Sequence, residues 1–343
     1  MRAGGFPVVL MAVLAWGAAP LAAQAVFEST QGRAEVIGLR RWTVQMLADS
    51  VSAKAPGESL YSHACAAILQ QKLGFPAAAV SIQVENGADG MRPVDVLITV
   101  VEPADSARVR QRRLSGGWRL PDSAWRTLRA TLVPDEEPQV NAFLFALQFV
   151  GFHRIGMAEQ LQLPPEMLAD ARPFWTSIAA LHRPADLALA RRALAADTNW
   201  VHRLMAVAAL ANFRDRDAAW HLLAAGARDP EHQVRTAAVA ALKTFLQGDV
   251  RRVDWTPAVA DLRTLLGGSH VWGYQDVMAV LAGSRISPSL ARTLLAGNSA
   301  LLAAHLRAQN DRASAPALAL ARQLSGRPTA TREAMLAWLR TLG

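Results

Sequence analysis

Cysteine is almost absent. Cys65 is the only one in 343 residues, so no intramolecular disulfide can form and a disulfide-stapled fold is excluded. It falls on one helical face with Tyr61, Ile68 and Leu69, the placement of a small core residue. Lysine is nearly as scarce, being confined to Lys54, Lys72 and Lys243, so the formal charge of +8 is carried by arginine. Short catalytic signatures are also missing. There is no Gly-x-Ser-x-Gly, no phosphate loop ending Gly-Lys-Ser/Thr and no His-Glu-x-x-His. His202, His221 and His232 stand at spacings that make no metal site by themselves and are expected as surface or groove polar residues. No metal and no cofactor is expected, and the chain reads as a non-enzyme. Beyond the amino terminus, no segment stays apolar for the roughly 20 residues that a spanning helix needs.

The first 25 residues have the pattern of a secretory signal. Arg2 is the only charge, Val8–Leu14 is an unbroken apolar core, and Ala23-Gln24-Ala25 offers small residues for cleavage after Ala25. Pro7, Gly17 and Pro20 interrupt the run, which argues against a membrane anchor. The expected location is therefore periplasmic or secreted. An exported basic chain seldom meets nucleic acid, so none is expected as a partner. Acidic lipid, acidic polysaccharide or an acidic protein face suits the arginine-rich surface better.

Residues 34–103 alternate strand and helix patterns. Ala34–Leu39 reads as a strand closed at Gly38. Val44, Leu47, Ala48 and Val51 follow at helical spacing behind Thr43, and a second helix runs from about Ser59 to Leu73. Val80–Glu85 then alternates apolar and polar, and Val94–Val101 is a further strand after Asn86-Gly87 and Asp89-Gly90 turns. This β-α-α-β-β order resembles the POTRA module of envelope assembly factors, with the Gly74-Phe75 pair and the closing Val100-Val101-Glu102. It departs from that family at Pro103 and in having no β-barrel downstream. The resemblance implies that the strand of Val80, Ser81, Ile82, Gln83, Val84 and Glu85 lies at a sheet edge, where an extended polypeptide could add as a further strand.

Residues 104–165 read as a connector and helical cap. Arg108, Arg110, Arg112 and Arg113 form a basic run ending at Ser115-Gly116-Gly117, the pattern of a solvated linker. A helix is expected over Pro121–Leu132, and the apolar Val140–Val150 reads as a buried helix.

Residues 166–343 carry an internal repeat. At an offset of 32, Asp197 falls on Asp229 and Arg203 on Arg235, and Ala206–Leu210 matches Ala238–Leu242 at every position. An Asp at a helix start with an Arg six residues on resembles the HEAT repeat. That resemblance implies an α-solenoid of about four or five helical pairs, above the roughly three such arrays need. It also implies a structural ladder of Asp197, Arg203, Asp229 and Arg235 along the stack. HEAT-type hydroxylases hold iron with His-Glu dipeptides, and none of the eight histidines here precedes a Glu.

The chain is thus expected to be mainly α, a HEAT-like solenoid preceded by a small POTRA-like α+β domain. Its expected function is that of a non-catalytic envelope scaffold binding protein partners. Second helices of HEAT pairs line a concave groove, which marks Trp220, His221, Arg263 and Arg292 as one docking stripe and the Val80–Glu85 edge as the other. Trp175, Trp200, Trp220, Trp255 and Trp272 recur through the array, chiefly as core fillers between layers of alanine. Two other classes stay open: an enzyme or cofactor protein with a motif-less site in the groove, and a sensor of acidic polysaccharide or lipid.

Overall fold

The computed structural model describes residues 25–87, 90–133, 138–150, 164–247 and 251–342. The expected export segment therefore lies outside the described residues, apart from Ala25. The chain is mainly helical, with a four-stranded sheet near its amino terminus.

The sheet holds one strand more than the sequence pattern marks. Its strands are β1 (Ala25–Ser29), β2 (Gly32–Ile37), β3 (Ala77–Gly87) and β4 (Gly90–Val101), in the order β1-β2-β4-β3. β1 pairs antiparallel with β2 across a two-residue turn at Thr30-Gln31, and Gly32 takes the positive φ that the turn requires. β2 runs parallel to β4 and β3 antiparallel to it, so β3 forms one edge. Two helices join β2 to β3. Thr43 caps α1 (Val44–Lys54) by accepting the Met46 amide at 3.2 Å. The second, α2 (Cys65–Gln71), is shorter than the expected Ser59–Leu73 because Glu58–Ala64 is taken up by successive turns.

Period-2 alternation explains why the sheet sits between two layers. Ala34, Val36, Ala78, Val80, Val96, Ile98 and Val100 pack against Leu47, Val51, Cys65 and Leu69 of the two helices. Burial, together with Glu58, pushes the Cys65 thiol up to about 12, so it behaves as an inert small hydrophobe. The opposite face presents Ile37, Ala77, Ala79, Leu97 and Val101 to the core of the helical region.

That region begins with α3 (Arg126–Leu132) and α4 (Val140–Val150). The expected helix over Pro121–Leu132 is cut short because Trp125 turns left-handed (φ 49°), its indole buried and donating to Asp186 at 3.1 Å. There follow α5 (Pro165–Ala179), α6 (Pro184–Ala196), α7 (Trp200–Leu210), α8 (Asp217–Gly226), α9 (His232–Thr244) and α10 (Val259–Thr264), with α6 packed on α7 and α8 on α9. Then come α11 (Tyr274–Gly283), α12 (Ala291–Leu295), α13 (Ala300–Arg307), α14 (Asp311–Ser325) and α15 (Arg332–Arg340). One row packs α7 on α9, α9 on α11 and α11 on α14, and a second packs α8, α10 and α12 in turn. The alanines set the spacing of these contacts: a Cβ on Gly226 would lie 3.1 Å from that of Ala238, so α8 and α9 approach too closely for larger side chains there.

Two joints fix the sheet to the helices. Glu35 on β2 is fully buried and accepts the amides of Gln309 (2.8 Å) and Asn310 (2.9 Å). Asn310 is itself the N-cap of α14, so a carboxylate from the start of the chain neutralises the positive end of a helix near its finish. The connector is the second joint. It runs backward along the loops between pairs: the Arg112 amide donates to Arg228 O (2.8 Å), the Ser115 amide to Ala195 O (3.0 Å) and the Leu120 amide to the Asp197 carboxylate (2.7 Å). The basic run is thus no free linker at Arg112, whose side chain also reaches Leu194 O and Asp229.

Candidate functional site

The loops between helical pairs gather the repeated Asp and Arg residues. Arg203 donates through Nε (2.9 Å) and Nη2 (2.7 Å) to the two oxygens of Asp229, and through Nη1 to the carbonyls of Asp197 and Thr198. Arg112 adds a third charged contact to Asp229 at 2.9 Å, and the Glu231 amide a fourth hydrogen bond. Asp229 is fully buried and Arg203 nearly so. Burial lowers the Arg112 pKa, with Asp229 opposing the shift. Asp197 accepts from the Leu120 and Asn199 amides and meets His202 Nδ1 at 2.8 Å. His202 is therefore a core residue, contrary to the surface or groove position expected of it; its ring is spent on a buried carboxylate. Arg235 donates to the carbonyls of Asp229 (2.6 Å) and Pro230 (2.9 Å) but, among the described residues, forms no ion pair that would continue the row. Sequence spacing marked four of these groups and missed Arg112, because nothing in a basic run says which of its members turns inward.

The expected groove stripe does not assemble. Trp220 is 1% exposed, with its indole N–H on Arg214 O and its rings 4.9 Å from Phe245 and 5.9 Å from Trp255. It fills the space between pairs and offers no face to a partner. His221 is half-buried, its Nε2 2.6 Å from Asp254 O. Arg263 is exposed, yet its guanidinium donates to Thr293 O (2.5 Å) and Ala296 O (2.8 Å), where it caps the end of α12. Among the described residues, Arg292 alone of the four is exposed without such a tie to a neighbouring helix end or ring. The repeating tryptophans divide likewise. Trp175, Trp220 and Trp255 are buried and Trp200 is half-buried, but Trp272 is 49% exposed.

The other expected surface keeps its geometry. Among the described residues β3 pairs with β4 on one side only, in register from Ala77↔Val101 to Gln83↔Asp95, with an irregularity between Gln83 and Val84. Ala78 and Val80 are buried, Ser81 is exposed, and Ile82 and Gln83 are half-buried. The side chains of Val84 and Glu85 lie outside the described residues. Gln70 donates to Ala78 O at 2.7 Å, which occupies one carbonyl near the start of the strand. The turn Val271–Gly273 packs against β3 and β4, placing Trp272 beside this end of the sheet.

An open cleft of about 710 Å³ also lies between α3 and α5, lined by Arg126, Thr131, Gln139, Asp170 and Phe174 among others, with no histidine or cysteine. Among the described residues no three His, Cys, Asp or Glu side chains converge as metal ligands, and no helix is long and apolar enough to cross a membrane. No family model, curated protein or solved structure matches the chain.

Proposed function

We propose that this chain is a non-catalytic binding protein of the cell envelope, which takes up an extended segment of a protein partner along the outer edge of β3. In this reading the sheet module is POTRA-like, and the helical pairs are a HEAT-like solenoid that serves as rigid backing. The observation that carries the proposal is the position of β3: a strand of eleven residues with one hydrogen-bonded neighbour, next to a strand buried on both faces. An edge of this kind offers backbone donors and acceptors in a row, and the covered sheet behind it cannot yield when a strand adds. The groove is the weaker site, since Trp220 is inside and Arg263 is engaged with a helix end.

A strand-breaking variant tests this. Gln83→Pro removes a backbone donor on β3 and resists pairing, so it should abolish capture of partners cross-linked in envelope fractions. Arg292→Glu, which alters the groove, should leave capture intact. Folded Gln83→Pro protein that still captures the same partners, or loss of capture with Arg292→Glu alone, overturns the edge reading.

A further inference from the structure

The repeat register exposes an unfilled place. Arg203 reaches Asp229, 26 positions ahead, and the residue 26 positions ahead of Arg235 is Asp261. Asp261 is a carboxylate, but Arg228 has captured it. Of the two carboxylates just behind Arg235, Glu231 caps the helix by accepting the His232 amide, and Asp229 is already filled by Arg203, Arg112 and a backbone amide. Arg235 is left with carbonyl contacts from one nitrogen, and its Nε is shielded from water with no hydrogen-bond partner among the described residues. Burial lowers the Arg235 pKa, with the charges of Asp229 and Glu231 opposing the shift.

His232 lies one turn before Arg235 on α9, with its ring 6.2 Å from Trp272 and 6.3 Å from the buried His270. The site also sits in the first turn of a thirteen-residue helix, whose positive end favours an anion. Trp272 is held by a built turn. Gly268 has φ 101°, and a Cβ there would come within 2.8 Å of Val101 on β4 and 3.1 Å of Leu301 on α13. The loop carrying Trp272 is therefore clamped between sheet and helices, and an exposed indole on a rigid support is a ready contact surface.

We propose that His232, Arg235 and Trp272 form a recognition site for a carboxylate-bearing side chain of a bound polypeptide, Arg235 supplying the counter-charge and Trp272 the apolar platform. A polypeptide is favoured over a sugar acid because the Trp272 turn packs against β3. In this respect the inference rests on the proposed edge function. A strand added on β3 would carry its alternate side chains past the cluster, where an acidic one would complete the row that Asp261 leaves open.

The test uses fluorescence polarisation on the full chain with fluorescein-labelled, strand-forming octapeptides. These carry Glu at each position in turn, or Gln at the same position. At one or two positions the Glu peptide should bind about tenfold more tightly than its Gln twin, the scale of one charge-assisted contact. That preference should vanish in Arg235→Gln and weaken in Trp272→Ala, a surface change that spares the fold if Arg235→Gln does not. Gln83→Pro should abolish binding of both peptides. If Glu and Gln peptides bind equally and Gln83→Pro removes both, the edge function stands and the carboxylate site is wrong. If no peptide binds but a uronate oligosaccharide does, and Arg235→Gln removes it, the polypeptide assignment is overturned. If nothing binds, both proposals fail.

Discussion

Replacing Asp229 by alanine removes one carboxylate and strands two guanidinium groups. Arg203 is 2% exposed, and its two charge-assisted hydrogen bonds to Asp229, at 2.7 and 2.9 Å, would be lost together. Arg112 loses its bond as well and pulls the connector with it. Breaking a buried pair from one side leaves an uncompensated charge and costs about 3–5 kcal/mol. At about 2–4 °C per kcal/mol for a chain of this size, the midpoint of thermal unfolding should fall by roughly 6–20 °C. Urea unfolding followed by far-UV circular dichroism at neutral pH gives the free energy directly, with the denaturant slope as a check that the unfolded state is unchanged. Removing both partners provides the discriminating comparison. A double variant, Arg203→Met with Asp229→Leu, keeps the volume filled and strands Arg112 alone, so it should be more stable than Asp229→Ala, which strands both guanidinium groups. A loss below about 1 kcal/mol for the single variant, within the range of exposed ion pairs, would refute the argument that this charge cluster is a buried structural joint.

Two further expectations concern acid and export. His305 is fully buried with Nε2 unpartnered and its ring 4.6 Å from Tyr274, and desolvation holds its pKa down to about 4; burial likewise holds His270 at about 3. Below the unfolded value of 6.5 the unfolded chain binds protons that the folded chain refuses, so stability is full above that pH. It falls as pH drops toward 4, by up to about 1.4 kcal/mol per pH unit for each histidine. His305→Leu should flatten the stability profile between pH 7 and 5, and identical slopes for variant and parent would rule His305 out as a contributor. Amino-terminal sequencing of the exported protein should begin near Val26, and a full-length product retained in the cytoplasm would contradict the expected signal.

What could be read from the sequence followed from periodicity. The offset of 32 aligned Asp197 with Asp229 and Arg203 with Arg235, and Arg203 and Asp229 do meet across neighbouring pairs. Strict alternation over Val80–Glu85 located a strand that lies at a sheet edge. Three things were not legible. β1 is only five residues long and follows directly on the apolar stretch read as an export signal, so its pattern merges with that stretch. Glu35 reads as the polar side of a strand, and its partners are 274 and 275 residues away. Trp220 and Arg263 were placed in the groove by helix order, but helix order does not say how each helix is rotated. Trp220 turned toward Phe245 because an aromatic of that size fills the gap between alanine-lined helices. The long Arg263 side chain found unpaired carbonyls at the end of α12.

The joint between Glu35 and the start of α14 has a consequence for how the chain is made. Stacked helical pairs ordinarily consolidate one after another, each needing only its neighbour. Here a strand synthesised first is completed by amides synthesised almost last. Closing so long a loop carries an entropy cost of about 5 kcal/mol beyond its constant part. The sheet must therefore wait, its second face uncovered, until residues near Gln309 have emerged and folded. The earliest-made module becomes the last to be finished, and the interval during which the β3 edge and the bare sheet face are exposed together is set by the length of the helical region that follows.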